Sequence, residues 1–151
     1  MKIALFFLLF SSQLYFAQNS KPFKTCSKTV NYTVDDYVLR KKVGMHLNIP
    51  ASNPSYFGGA EALKNYFAAT SLTKREMFRI FIGFVVNCKG KVGNFQIVSE
   101  GRSDMHNEVF EIAKKMQRWK PALSKQGKPV DSYQILTLTI YKENIIDAYY
   151  K

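Results

Sequence analysis

The segment Phe78-Arg79-Ile80-Phe81-Ile82-Gly83-Phe84-Val85-Val86-Asn87-Cys88-Lys89-Gly90-Lys91-Val92 decides the fold class. Phe78, Ile80, Ile82, Phe84, Val86 and Cys88 occupy every second position, which puts them on one face of a strand. Asn87 to Lys91 supplies the glycine of a tight turn. Phe95, Ile97 and Val98 make 92–99 apolar enough to return as a second strand. The spacing therefore predicts a hairpin over 78–99.

Downstream, the period changes from 2 to 3.6. Ser103 or Asp104 offers a helix N-cap. Val109, Phe110, Ala113, Met116 and Trp119 then fall on one apolar stripe, giving a helix over about 105–118. Lys114, Lys115 and Arg118 sit where cations oppose the negative helix pole, and Pro121 ends the helix. After the turn at 125–129, residues 133–141 alternate Leu136, Leu138 and Ile140 with Thr137 and Thr139. The expected fold is α+β: a three-stranded antiparallel sheet (78–88, 92–99, 133–141) packed on one long helix, with an N-terminal helical extension. A further helical face is expected where Leu63, Tyr66 and Phe67 align, and a short helix from Tyr37 towards Val43 behind Asp35-Asp36.

Composition agrees with one folded unit. The chain has 151 residues, 46% of them hydrophobic and 15% aromatic, which excludes a disordered chain. The first 17 residues read as a secretory signal: Lys2, an apolar run from Ile3 to Phe10, and a small residue, Ala17, at the cleavage point. The expected organisation is a signal peptide at 1–17, an extension at 18–55, a domain at 56–142 and a tail at 143–151. The protein is thus expected to be periplasmic or secreted and without an integral membrane anchor.

Chemistry-bearing constellations are sparse. His46 and His106 stand without a second histidine at metal-ligand spacing, and no phosphate loop or nucleophile elbow is present. Neither a metal, a cofactor nor an enzymatic activity is expected. Cys26 and Cys88 in an exported chain favour a disulfide. The alternative places Cys88 as a small residue on the inward strand face and leaves Cys26 free. The excess of 22 Lys+Arg over 11 Asp+Glu gives a net charge of +11. A denser basic patch comprises Lys114, Lys115, Arg118 and Lys120, with Lys125 and Lys128 beyond it. Acidic proteins or anionic headgroups suit an exported protein better than nucleic acid, and a solvated charged face is the plainer reading.

At Trp119-Lys120-Pro121-Ala122 the stretch from Phe78 to Tyr141 resembles the C-terminal domain of TonB. The matching features are the strand into Cys-Lys-Gly-Lys-Val (88–92), the helix, and Gly127-Lys128-Pro129-Val130 leading to Leu138-Thr139-Ile140-Tyr141. Upstream, Tyr56-Phe57-Gly58-Gly59-Ala60-Glu61-Ala62-Leu63-Lys64 is similar to a lead-in of TonB-like proteins of the Bacteroidetes. The lead-in proline after Phe57 is absent, and so are the Pro-rich spacer and uncleaved anchor of TonB itself. The resemblance implies that the last strand is a sheet edge offered to a peptide, with Tyr133, Ile135, Thr137, Thr139 and Tyr141 as its residues and an outer-membrane transporter as a partner. The competing reading is an exported accessory domain that docks through its basic face or forms a homodimer.

Overall fold

A computed structural model describes residues 23–27, 31–32, 50–98, 104–117 and 119–150. The signal segment, the helix expected from Tyr37, Ser103, His46 and Arg118 lie outside the described residues. The elements are β1 (Asn31–Tyr32), β2 (Ser55–Tyr56), α1 (Gly59–Ala68), β3 (Ser71–Val86), β4 (Val92–Ile97), α2 (Asp104–Lys114), β5 (Trp119–Lys120), β6 (Ala122–Leu123), β7 (Pro129–Val130) and β8 (Ser132–Tyr150). The fold is α+β. Three long antiparallel strands run in the order β8-β3-β4, and β1 adds a two-residue parallel pairing on β8.

Among the described residues two helices cover the sheet, the one expected after the hairpin and the one expected where Leu63, Tyr66 and Phe67 align. Ile80, Ile82, Phe84 and Val86 of β3 and Leu136, Leu138 and Ile140 of β8 point to one face, as alternation requires. Against them pack Leu63 and Phe67 of α1 and Val109 and Ala113 of α2. Tyr66 fastens the helices together, its hydroxyl donating to the Ile112 carbonyl at 3.1 Å. Glu108 of α2 in turn accepts from the Thr73 N–H and hydroxyl.

Several expected boundaries shift, each for a local reason. β3 begins at Ser71, not 78, and ends at Val86, so Cys88 lies in the turn and not on the inward strand face. There Asn87, 4% exposed, accepts the N–H groups of Lys89 and Lys91 on its side-chain oxygen. Gly90 adopts φ +71°, and a Cβ there would stand 2.1 Å from the Trp119 carbonyl oxygen.

Helix α2 stops at Lys114, not 118. The Lys115 and Met116 N–H groups reach back only three residues, to Ile112 and Ala113, and this tightening closes the last turn. Trp119 belongs to β5 and pairs with Tyr56. Strand β8 continues past 141 to Tyr150, and Ile145 and Ala148 join the core. The Ala51 and Ser52 N–H groups donate to the Leu123 carbonyl, which ties this stretch of backbone to β6.

Candidate functional site: a strand edge, a clasp and a basic pole

Three features stand out. The first is the outer edge of β8. The Val98 N–H donates to the Phe81 carbonyl at 2.8 Å, so Phe81 directs its backbone groups towards β4. Phe81 faces Thr137 across β3 and β8. That pair therefore exchanges no hydrogen bonds, and the Thr137 N–H and C=O point away from β3. By the two-residue repeat Ile135, Thr139 and Tyr141 do the same. Among the described residues β1 pairs only with Ser132 and Tyr133, and no strand pairs with the outer side of 135–141.

The side chains of those residues are placed less favourably than the resemblance implies. Tyr133, Ile135 and Thr137 are 0%, 6% and 5% exposed. Tyr133 lies across Gly83, where a Cβ would be 1.6 Å from its hydroxyl. Thr137 and Ile135 therefore do not present side chains for specificity. Thr139 is half-buried, and Tyr141 is 47% exposed. Sequence alternation does not reveal their apolar neighbours: Met77, paired with Tyr141, and Phe81, paired with Thr137, are both exposed. The signal that would have found them is the odd-numbered set on β3, apolar on the face expected to be polar.

Burial pushes the Tyr133 hydroxyl above its ordinary pKa of 10.0, against a smaller opposing effect of the Gln96 amide. Burial raises Tyr66 likewise, aided by Tyr56. Because folding favours the neutral phenols, their stabilisation is intact below pH 10 and falls away as the pH rises through the folded values.

The second feature is a clasp. Cys26 and Cys88 are bridged, with Cα atoms 6.0 Å apart. Asp131, 1% exposed, accepts the Cys26 and Ser27 N–H groups on Oδ2, each at 2.7 Å, and the Cys88 N–H on Oδ1 at 2.8 Å. Cys26, Cys88 and Asp131 bring ligand-type atoms within 4.8 Å of one another, but both sulfurs are engaged in the bridge and neither is a thiolate, the form that binds metal. The arrangement is a fastening. Such a disulfide suggests an oxidising, non-cytoplasmic environment. Protein made in that environment should show no reactive thiol on titration under denaturing conditions, and two titratable thiols would refute the bridge.

The third feature is a basic pole where β3 turns into β4. Lys114, Lys115 and Lys120 of the expected patch are exposed. Lys114 pairs with Glu111 at 2.7 Å and lies over the Phe110 ring, while Lys120 lies over Phe57. The fold adds Lys24, Lys89 and Lys91, which the linear patch does not contain, on the turn and the strap that the clasp holds beside it. No helix among the described residues is long and apolar enough to cross a membrane.

Compared with protein-family models, with curated proteins and with solved structures, the chain finds no match.

Proposed function

We propose that this protein is an exported, non-catalytic peptide-binding module that takes up an extended segment along the outer edge of β8. The observation that carries the reading is the outward direction of the Thr137 backbone groups, fixed by the Val98–Phe81 hydrogen bond. A strand edge of this kind templates another chain. Main-chain hydrogen bonds supply the affinity, and side-chain contacts the selectivity. Here selectivity falls to Thr139, Tyr141 and the adjoining Met77, because Ile135 and Thr137 are covered.

The resemblance to TonB C-terminal domains names the partner class, the periplasmic N-terminal segment of an outer-membrane transporter. With a cleaved signal peptide the role is that of an adaptor or regulator in such transport, not of a transducer.

The test is Thr137→Pro, measured by binding to periplasmic transporter segments. Proline removes an outward donor without touching the β3 ladder, and its ring obstructs a neighbouring strand. Affinity should fall about fivefold or more, while Thr137→Val, which keeps the N–H, binds as the parent does. A folded Thr137→Pro variant that binds undiminished overturns edge capture.

A further inference from the structure

Among the described residues, exposed lysines from several segments gather at one end of the fold. The strap carries Lys24, the β3–β4 turn Lys89 and Lys91, the end of α2 Lys114 and Lys115, and β5 Lys120, all exposed. Gly90 meets Trp119, which joins the turn to β5. Two adjoining clefts share Lys91 and Val92: one of about 410 Å³ reaches Lys114 and one of about 740 Å³ reaches Lys24 and Lys89. Among the described residues no carboxylate lines either cleft. Opposing charge among the described residues comes from Asp131, buried and held by the Cys26, Ser27 and Cys88 N–H groups, from Glu111, paired with Lys114, from Glu61 in the first turn of α1, and from Asp147 near the end of β8. Glu76, Glu108 and Glu143 lie on segments at the other end of β3 and on its partners.

We infer that this pole docks the protein on an anionic bilayer surface. Two observations select a bilayer over an acidic protein. The described cations of the pole are lysines, compact hydrated charges on flexible stems, which suit a diffuse layer of phosphate headgroups better than bidentate recognition of carboxylates. Beside them stands an apolar side chain: Phe57 is 60% exposed, and its ring lies 5.6 Å from the Lys120 ammonium. Charge for attraction and an aromatic for the interface is the composition of a peripheral membrane contact. Lys125 and Lys128, on the β6–β7 turn that follows β5 in the chain, are exposed as well. The β8 edge leaves this pole and runs roughly 30 Å from Ser132 to Tyr141, so a docked molecule keeps its edge clear of the lipid.

The experiment is co-sedimentation of the disulfide-bonded protein with phosphatidylcholine vesicles, with and without phosphatidylglycerol. Binding should require the anionic lipid and weaken steeply as salt rises to physiological strength. Each lysine lost should weaken it about fivefold, so Lys89→Gln with Lys91→Gln gives roughly a twenty-five-fold loss. The bonds of the turn are made by the Asn87 side chain and the backbone, not by these ammonium groups, so the circular dichroism should be unchanged. Lys142→Gln, remote from the pole, should bind as the parent does. Phe57→Ser should reduce binding at physiological salt more than at low salt. Equal binding to neutral vesicles overturns the inference, as does binding to polyglutamate with none to anionic vesicles. The outcome is independent of peptide capture, because the Thr137→Pro variant should sediment normally.

Discussion

Asp131→Ala should lower the stability of the disulfide-bonded protein by about 3–5 kcal/mol, because one carboxylate organises three backbone donors from two distant segments. Hydrogen bonds to a charged acceptor each contribute roughly 1.5–3 kcal/mol. The simple sum exceeds the expected loss because the strap's amides regain water once released. Cys88, half-buried in the turn, regains less. Since the bridge still tethers Cys26 to Cys88, the molecule should stay folded while the Cys26, Ser27 and Cys88 amides lose protection from hydrogen exchange. Denaturant unfolding gives the magnitude. In a background with both cysteines replaced by serine, the same substitution should cost less, because clasp and bridge hold one strap and are coupled. A loss below about 1 kcal/mol in the bridged protein would show that Asp131 is not the organising acceptor.

Trp119→Ala should cost about 3–5 kcal/mol, the range for emptying a large aromatic site. Trp119 is 5% exposed, and its ring meets Phe84, Tyr150 and Tyr56 at centroid distances of 5.1, 4.8 and 5.6 Å, all edge to face or nearly so. Such pairs add to simple burial. The Tyr150 hydroxyl accepts the Tyr56 N–H at 3.3 Å, so the cavity would also loosen the end of β8 and the short β2–β5 pairing. One group opposes this gain: Trp119 Nε1 is buried with no hydrogen-bond partner among the described residues. Trp119→Phe removes that orphan donor with part of the ring, and should therefore cost less than about 1.5 kcal/mol. A thermal melt separates the two variants, and a near-silent Trp119→Ala would remove this residue from the core.

The three long strands and both described helices were legible because their residues carry a period. Ile80, Ile82 and Phe84 alternate, Val109 and Ala113 repeat at helical spacing, and Gly90 marks the turn. Boundaries were less legible. Trp119 extends the apolar stripe of α2 in register, so periodicity counts it as helical. The choice against that was made by Tyr56, sixty-three positions earlier in the chain. Strand β8 was cut short at 141 for a similar reason: Lys142 adopts φ 57°, the alternation breaks there, and Ile145 and Ala148 are apolar at a different spacing.

By itself, then, the sequence determined fold class, the hairpin, the helix stripe and the expectation that Cys26 and Cys88 pair in an oxidising compartment. These rest on neighbours a few positions apart, or on residue types whose chemistry has few alternatives. Only the tertiary structure decided that Asp131 joins the bridge, that Ile135 and Thr137 are covered while their backbone faces outward, and that Lys24, Lys89 and Lys91 gather with Lys114 and Lys120. Each of these depends on contacts between segments far apart along the chain. No local period encodes such contacts, because they arise only when the apolar faces are buried together and the polar groups left at the rim find whichever partners the packing brings.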